Sequence, residues 1–207
     1  MTDGLVVVGA GGMGRETIDV ARAAGREVVG VVDDGPSSAD LDRLARSGVA
    51  HLGDLDGWLS SGSTTPWVVA VGDPTLRRRL AARLVRVAAP APALVHPAAT
   101  LGSDVLIGDG TIVCAGVRVS THVRLGRHDH LLSNAVVGHD VVVGDHVSIN
   151  PGAVVSGAVR IGADTMIGAG ATVLQQLTVG ARSVVGAGAC VVHDVTDDVV
   201  VRGVPAR

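Results

Sequence analysis

The stretch "VRIGADTMIGAGATV" (159–173) places Ile161, Ile167 and Val173 six residues apart, with glycine directly after the first two. A fixed step of six is the mark of a repeat architecture. Followed in both directions, the step runs from Val95 to Val191, and all seventeen positions on it are Val, Ile or Leu. Glycine follows the aliphatic residue again in "IGDGTI" (107–112) and "VGDHVS" (143–148). The residue four places on is small or β-branched, as at Val105, Thr111, Val117, Val141, Ala153 and Ala171. Period six with inward aliphatics predicts a parallel β-helix in which three hexapeptides make each triangular coil. Val, Thr and small residues suit its short flat strands, and glycine is expected to supply the backbone geometry of the corners. The run 95–196 is long enough for five to six coils with no break in register. Residues 18 apart then form columns one strand spacing, about 4.8 Å, apart.

Composition agrees with narrow, regular layers. The 207-residue chain has 29 Gly, two Trp, and neither Phe nor Tyr, so Val, Leu, Ile and Ala must fill any core. The formal charge of −3 gives no electrostatic case for a nucleic-acid partner or an acidic membrane. All 17 fixed cations are Arg, so an anionic ligand would meet Arg, His or backbone N–H groups. Cys114 and Cys190 have no metal-ligand spacing, and two thiols suggest a reducing compartment. The apolar start lacks a basic flank and is too short to span a bilayer, so a cytoplasmic, membrane-free protein is expected.

Before the repeats the pattern is different. Three prolines in "VAAPAPALVHP" (87–97) forbid a continuous helix and mark the expected boundary between a domain at 1–88 and one at 89–207. Upstream, the strand-like runs "LVVV" (5–8), "EVVGVVDD" (27–34) and "WVVAVGD" (67–73) alternate with helical patterns, which predicts a small Rossmann-like parallel α/β sheet. In "PTLRRRLAARLVRV" (74–87), Asp73 is the expected N-cap and Pro74 the first helical residue. Leu76, Leu80, Leu84 and Val87 form the expected apolar stripe, with Arg77–Arg79 on a solvated face. Gly9, Gly11 and Gly14 spell G-x-G-x-x-G between a strand and a helix, and Asp33 follows 19 residues later. Alone this reads as a dinucleotide loop that admits a diphosphate to a helix N-terminus, with Asp33 on ribose hydroxyls. The head is too short for a dehydrogenase.

In "NAVVGHDVVVGD" (134–145) a His-Asp pair interrupts the apolar repeat. Column arithmetic puts His139 above Thr121 and below Gly157, and stacks His128 with His146. His122, His128 and His130 are read as solvated side chains.

Four pieces together carry a family resemblance: "GAGGMGRETIDVARAAG" (9–25), "NAVVGHDVVVGDHVSINPGAVVSGAVRIG" (134–162), "VVGAGACVVHDV" (184–195) and "GVPAR" (203–207). The chain resembles the left-handed hexapeptide β-helix sugar acyltransferases of the sialic-acid O-acetyltransferase and UDP-4-amino-sugar N-acetyltransferase type. The resemblance implies an α/β Rossmann-like head followed by a left-handed parallel β-helix. It further implies direct acetyl transfer from acetyl-CoA, without a metal, to the amino group of a UDP-linked sugar, or alternatively to a sugar hydroxyl or from a longer acyl donor. His139 becomes the general base and Asp140 its carboxylate partner, since an imidazole with an ordinary pKa of about 6.5 accepts a proton at neutral pH. Gly11, Gly12, Met13, Asp33, Asp34 and Gly72 become the nucleotide-sugar contacts. Ser148, Gly157, Ala169 and Ala187 become the acetyl-CoA contacts, with Gly157 offering a backbone N–H to the oxyanion. The resemblance also implies a homotrimer with each site between protomers. Ser148 stands where the family often has His, and Met13 where relatives frequently have His.

Three rival classes find less support. A hexapeptide carbonic anhydrase needs zinc-binding His five residues apart, and a structural or ice-binding β-helix needs an outward Thr array; neither is present. A sugar-nucleotide-binding regulator would be favoured if His139 proved dispensable.

Overall fold

The computed structural model describes residues 4–207. The head comprises β1 (Gly4–Val8), α1 (Gly12–Ala23), β2 (Glu27–Val32), α2 (Ser38–Arg46), α3 (Leu55–Ser60), β3 (Trp67–Val69) and α4 (Pro74–Leu84). Its three strands are parallel in the order β2-β1-β3. β1 is the central strand and is buried along its whole length, which explains its unbroken aliphatic run. Gly9, with φ +117°, turns the chain out of β1, and Gly14 packs so tightly that a Cβ would lie 1.9 Å from the Gly9 carbonyl oxygen.

From Leu94 onward the chain winds into the expected left-handed parallel β-helix of about six turns, built from two-residue strands. Its first face stacks seven strands, among them Leu94–Val95, Ile112–Val113, His130–Leu131 and Ser148–Ile149. The second stacks six, including Val136–Val137 and Val154–Val155, and the third stacks five, including Val142–Val143 and Arg160–Ile161. Partners are 18 residues apart, as in Val137 with Val155 and Ile149 with Ile167. Leu131, Val137, Ile149, Val155, Ile167, Val173, Val179 and Val185 are completely buried. The lowest coil is different, because no coil lies beneath it: Leu101 on the same step is 42% exposed.

Two details of the repeat refine the expectations. Glycine does take left-handed corners, as at Gly110, Gly116, Gly152, Gly170 and Gly188, but the glycines directly after the inward aliphatics serve close approach between coils, and the corner lies two residues further on. A Cβ on Gly138 would meet the Gly157 nitrogen at 2.7 Å, and one on Gly162 the Ala181 nitrogen at 2.4 Å. The left-handed residues include His128 (φ 56°), Asn134 (61°), Asp140 (61°) and His146 (62°). The register also shortens at the top. Val179 bridges Val195 and Val185 pairs with Val201, each 16 residues apart, so the last coil lacks two residues. Beyond it "GVPAR" folds back, with Ala206 N–H donating to the Cys190 carbonyl at 2.7 Å.

The head sits on the first face. Helix α1 packs on the strands Leu94–Val95 and Ile112–Val113, and one apolar cluster runs from Leu5, Ile18 and Val68 through Leu94 and Ile112 into the solenoid interior.

Candidate active site

His139 follows Val137 by two residues and stands on the edge between the second and third faces, the edge opposite the face that carries the head. Its Nδ1 lies 2.7 Å from Asp140 Oδ2, and the two side chains are 61% and 57% exposed. A carboxylate oxygen accepts, so the neutral-ring tautomer that fits this contact has its proton on Nδ1 and its lone pair on Nε2. The left-handed backbone of Asp140 swings its carboxylate back onto the preceding imidazole. Gly157 lies directly above: a Cβ there would stand 2.5 Å from His139 Nε2. The turn is held by Ala158 N–H donating to the His139 carbonyl and Gln176 N–H to the Gly157 carbonyl. Among the described residues no acceptor takes the Gly157 N–H. A basic nitrogen and a backbone donor thus share one exposed ledge, an arrangement fitted to deprotonating a nucleophile beside a developing oxyanion.

The second site lies in the head, at the carboxyl ends of the parallel strands, where open α/β sheets bind ligands. A pocket of about 180 Å³ is lined by Val8, Gly9, Val32, Asp33, Asp34, Leu55, Leu76 and Leu80. It brings together Asp33 and Asp34 of the expected set. Asp33 Oδ2 accepts from Ala10 N–H at 2.7 Å and Oδ1 from Gly35 N–H at 2.9 Å, so this carboxylate also braces the glycine loop. Asp34 Oδ1 accepts from Leu55 N–H at 2.8 Å. Gly11 and Gly12 are exposed at the start of α1, and a Cβ on Gly11 would meet nothing within 4 Å. Met13 is half-buried against the shared apolar cluster. Leu55, Leu76 and Leu80 were not anticipated as pocket walls; Leu76, placed in a buried stripe, is 44% exposed.

The seam between head and solenoid holds the largest departures from the sequence reading. Arg77 is 0% exposed, and α4 buries Pro74, Arg77, Ala81 and Leu84, while Val87 is exposed. The helix is capped as expected, Asp73 accepting from Leu76 N–H at 2.7 Å. Arg77 Nη1 donates to the Val71 carbonyl at 2.8 Å, and Nη2 donates to the His146 carbonyl at 2.7 Å and to Ser148 Oγ at 2.9 Å. His130 Nδ1 accepts from Arg77 at 3.2 Å, and its Nε2–H donates to the Val69 carbonyl at 2.9 Å. Burial pushes the Arg77 pKa down to about 10, which leaves it cationic at neutral pH. Burial, and then Arg77, hold His130 well below the usual imidazole range, so it is neutral.

His128 and His130 are 7% and 1% exposed, not solvated, because the head covers their edge of the prism. As the column arithmetic requires, His128 stacks on His146 with ring centroids 5.1 Å apart; Trp67 from β3 completes the stack at 5.3 Å. Ser148 lies in this seam, 2% exposed, its hydroxyl also reaching the Gly72 carbonyl at 3.3 Å. Ala169 and Ala187 are exposed, one above the other, on the edge between the first and second faces. One chain therefore sets His139 and Gly157 on one edge, Ala169 and Ala187 on another, and the nucleotide-type pocket beside the face opposite His139.

Residues 4–84 match the family model described as the PglD N-terminal domain. A search of curated proteins found no match. Among solved structures, a variant of perosamine N-acetyltransferase from Caulobacter crescentus in complex with CoA and GDP-perosamine is 33% identical. That match covers 99% of this chain and 95% of the other, with a TM-score of 0.90. The acetyltransferase domain of PglB from Neisseria gonorrhoeae, in complex with acetyl coenzyme A, is 33% identical over 100% of this chain and 99% of that one (TM-score 0.88). WeeI from Acinetobacter baumannii is 28% identical over 98% of both chains (TM-score 0.86).

Proposed function

Because the chain belongs to the hexapeptide-repeat sugar acetyltransferases, we propose that it moves the acetyl group of acetyl-CoA to the amino group of a nucleotide-linked amino sugar, with His139 as general base. The observation that carries this reading is the His139–Asp140 pair, whose Nδ1–Oδ2 distance of 2.7 Å leaves Nε2 basic on an exposed ledge. As the amine nitrogen attacks the thioester carbon, Nε2 takes its proton and Asp140 stabilises the imidazolium. The carbonyl oxygen gains charge beside the Gly157 N–H, and the C–S bond breaks to release the CoA thiolate. Asp33, Asp34 and Gly9 hold the nucleoside end, and the diphosphate lies along Gly11 and Gly12 at the amino end of α1. The GDP-sugar and CoA complexes of relatives support both halves.

The scatter of candidate residues over separate edges of one prism supports a homotrimer in which CoA lies between neighbouring solenoids, against His139 and Gly157 of one chain and Ala169 and Ala187 of the next. A thiol-release assay tests the reading: acetyl-CoA is offered UDP- and GDP-linked amino sugars and matched sugars bearing only hydroxyls. Amine-dependent release that falls about 10²–10⁴-fold in His139→Ala is the expected result. Release only with the hydroxyl set would move the activity to O-acetylation. No loss in His139→Ala would remove the base.

A further inference from the structure

Beyond the proposed chemistry, and resting on it, the structure assigns a role to the buried seam. We propose that Arg77, Ser148 and His130 form a positioning hub that holds loop 69–73, which backs the acceptor pocket, in register on the solenoid, so that Ser148 serves the nucleotide-sugar half of the reaction and not acetyl-CoA.

A guanidinium is among the costliest groups to bury, and it persists here because its partners come from both halves of the molecule. On the head side these are the carbonyls of Val71 and Gly72, at 2.8 and 3.3 Å. On the solenoid side they are His130 Nδ1, the His146 carbonyl and Ser148 Oγ, at 3.2, 2.7 and 2.9 Å. Two further links bypass Arg77, from His130 Nε2 to the Val69 carbonyl and from Ser148 Oγ to the Gly72 carbonyl. The tied segment backs the acceptor pocket: its Ala70 N–H donates to the carbonyl of Val8, which lines that pocket, at 2.8 Å. A Cβ on Gly9 would meet the Ala70 carbonyl oxygen at 2.8 Å, and Gly9 lines the pocket with Asp33 and Asp34. Asp73 then caps α4 through Leu76, another pocket wall. The path from Ser148 to the nucleotide pocket is thus continuous through hydrogen-bonded backbone. Ser148 has its oxygen turned into this path and is 2% exposed, which leaves the donor no access to it.

The test uses the full chain with Ser148→Ala, Arg77→Met and Arg77→Lys. Calorimetry gives the dissociation constants of CoA and of whichever of UDP and GDP the wild type binds, and steady-state assays give KM for acceptor and for acetyl-CoA. For Ser148→Ala, which removes one oxygen, nucleotide affinity is expected to fall and acceptor KM to rise about tenfold, with CoA affinity and acetyl-CoA KM within about twofold of wild type. Arg77→Met should lose more on the same side, and Arg77→Lys should restore part of it. Weakened CoA binding with intact nucleotide binding in Ser148→Ala would overturn the proposal. So would unchanged constants for both ligands in a folded variant. If Arg77→Met does not fold, Ser148→Ala still decides. Failure of the wild type to bind either nucleotide or to transfer acetyl would instead sink the enzymatic reading, and is seen before any variant is made.

Discussion

Gly157 sets the position of the base. A methyl group there would lie 2.5 Å from His139 Nε2, yet the imidazole is the free end of a side chain 61% exposed, so it can swing aside without disturbing the core. Gly157→Ala is therefore expected to lower kcat at least about tenfold while leaving the unfolding free energy from urea titration within about 0.5 kcal/mol of wild type. A variant with wild-type kcat would show that Nε2 need not sit beneath this residue. A period of 18 stacks Gly157 over His139 from the sequence alone, whereas the roles of His139 and Asp140 follow from the family resemblance and not from the columns. Arg77 was not legible. Helical amphipathicity assigns three consecutive arginines to water, and nothing in α4 itself reveals that Ser148, 71 residues away, waits with an acceptor. The same blindness misplaced His128 and His130: the repeat defines their column, whereas their burial depends on which face the head covers.

Between the single residue and the whole chain, the corner column of His128 and His146 ties acid sensitivity to the head–solenoid seam. Burial lowers both imidazoles to about 4, with His146 and then Arg77 adding to the effect on His128 and Arg77 to that on His146, and burial holds His130 below the ordinary range too. The unfolded chain binds these protons near pH 6.5 and the folded chain does not, so folding stability is complete above about 6.5 and falls as pH drops toward 4. Asp129, fully buried and raised well above its usual pKa, acts in the opposite sense, one group against three. His128 contributes on the order of 2 kcal/mol across this window, and half-buried His146 less because solvent screens it. Urea midpoints at pH 7, 5.5 and 4.5 should decline in that order. His128→Asn keeps a residue type tolerant of the left-handed corner at φ 56° but cannot titrate, so its decline should be shallower. An equal slope in the variant would exclude His128 as a source. The solenoid strands themselves were readable to the residue from the six-step, and only the two-residue contraction after Val191 escaped, because it follows the last regular repeat.

At the scale of the molecule, the decisive feature is that the head covers one face of the prism and His139 lies on the opposite edge. On the proposed reading, a sugar held by diphosphate contacts at Gly11 and Gly12 lies across the solenoid from His139 of its own chain, so the proposal requires a neighbouring chain to supply the base. Two defective variants should then rescue each other. His139→Ala keeps a working head. Gly11→Asp keeps a working ledge, since a Cβ at Gly11 meets nothing within 4 Å, while its carboxylate repels the diphosphate. Each homo-oligomer should be inactive. Co-expressed at equal levels, they should regain activity at up to about one quarter of the sites, the fraction in which an intact head faces an intact His139 around a closed ring. Recovery demands co-assembly, so mixing the purified proteins without subunit exchange should restore nothing. If the head and base of a single chain formed each site, every site would carry one lesion or the other, and co-expression would yield no activity at all.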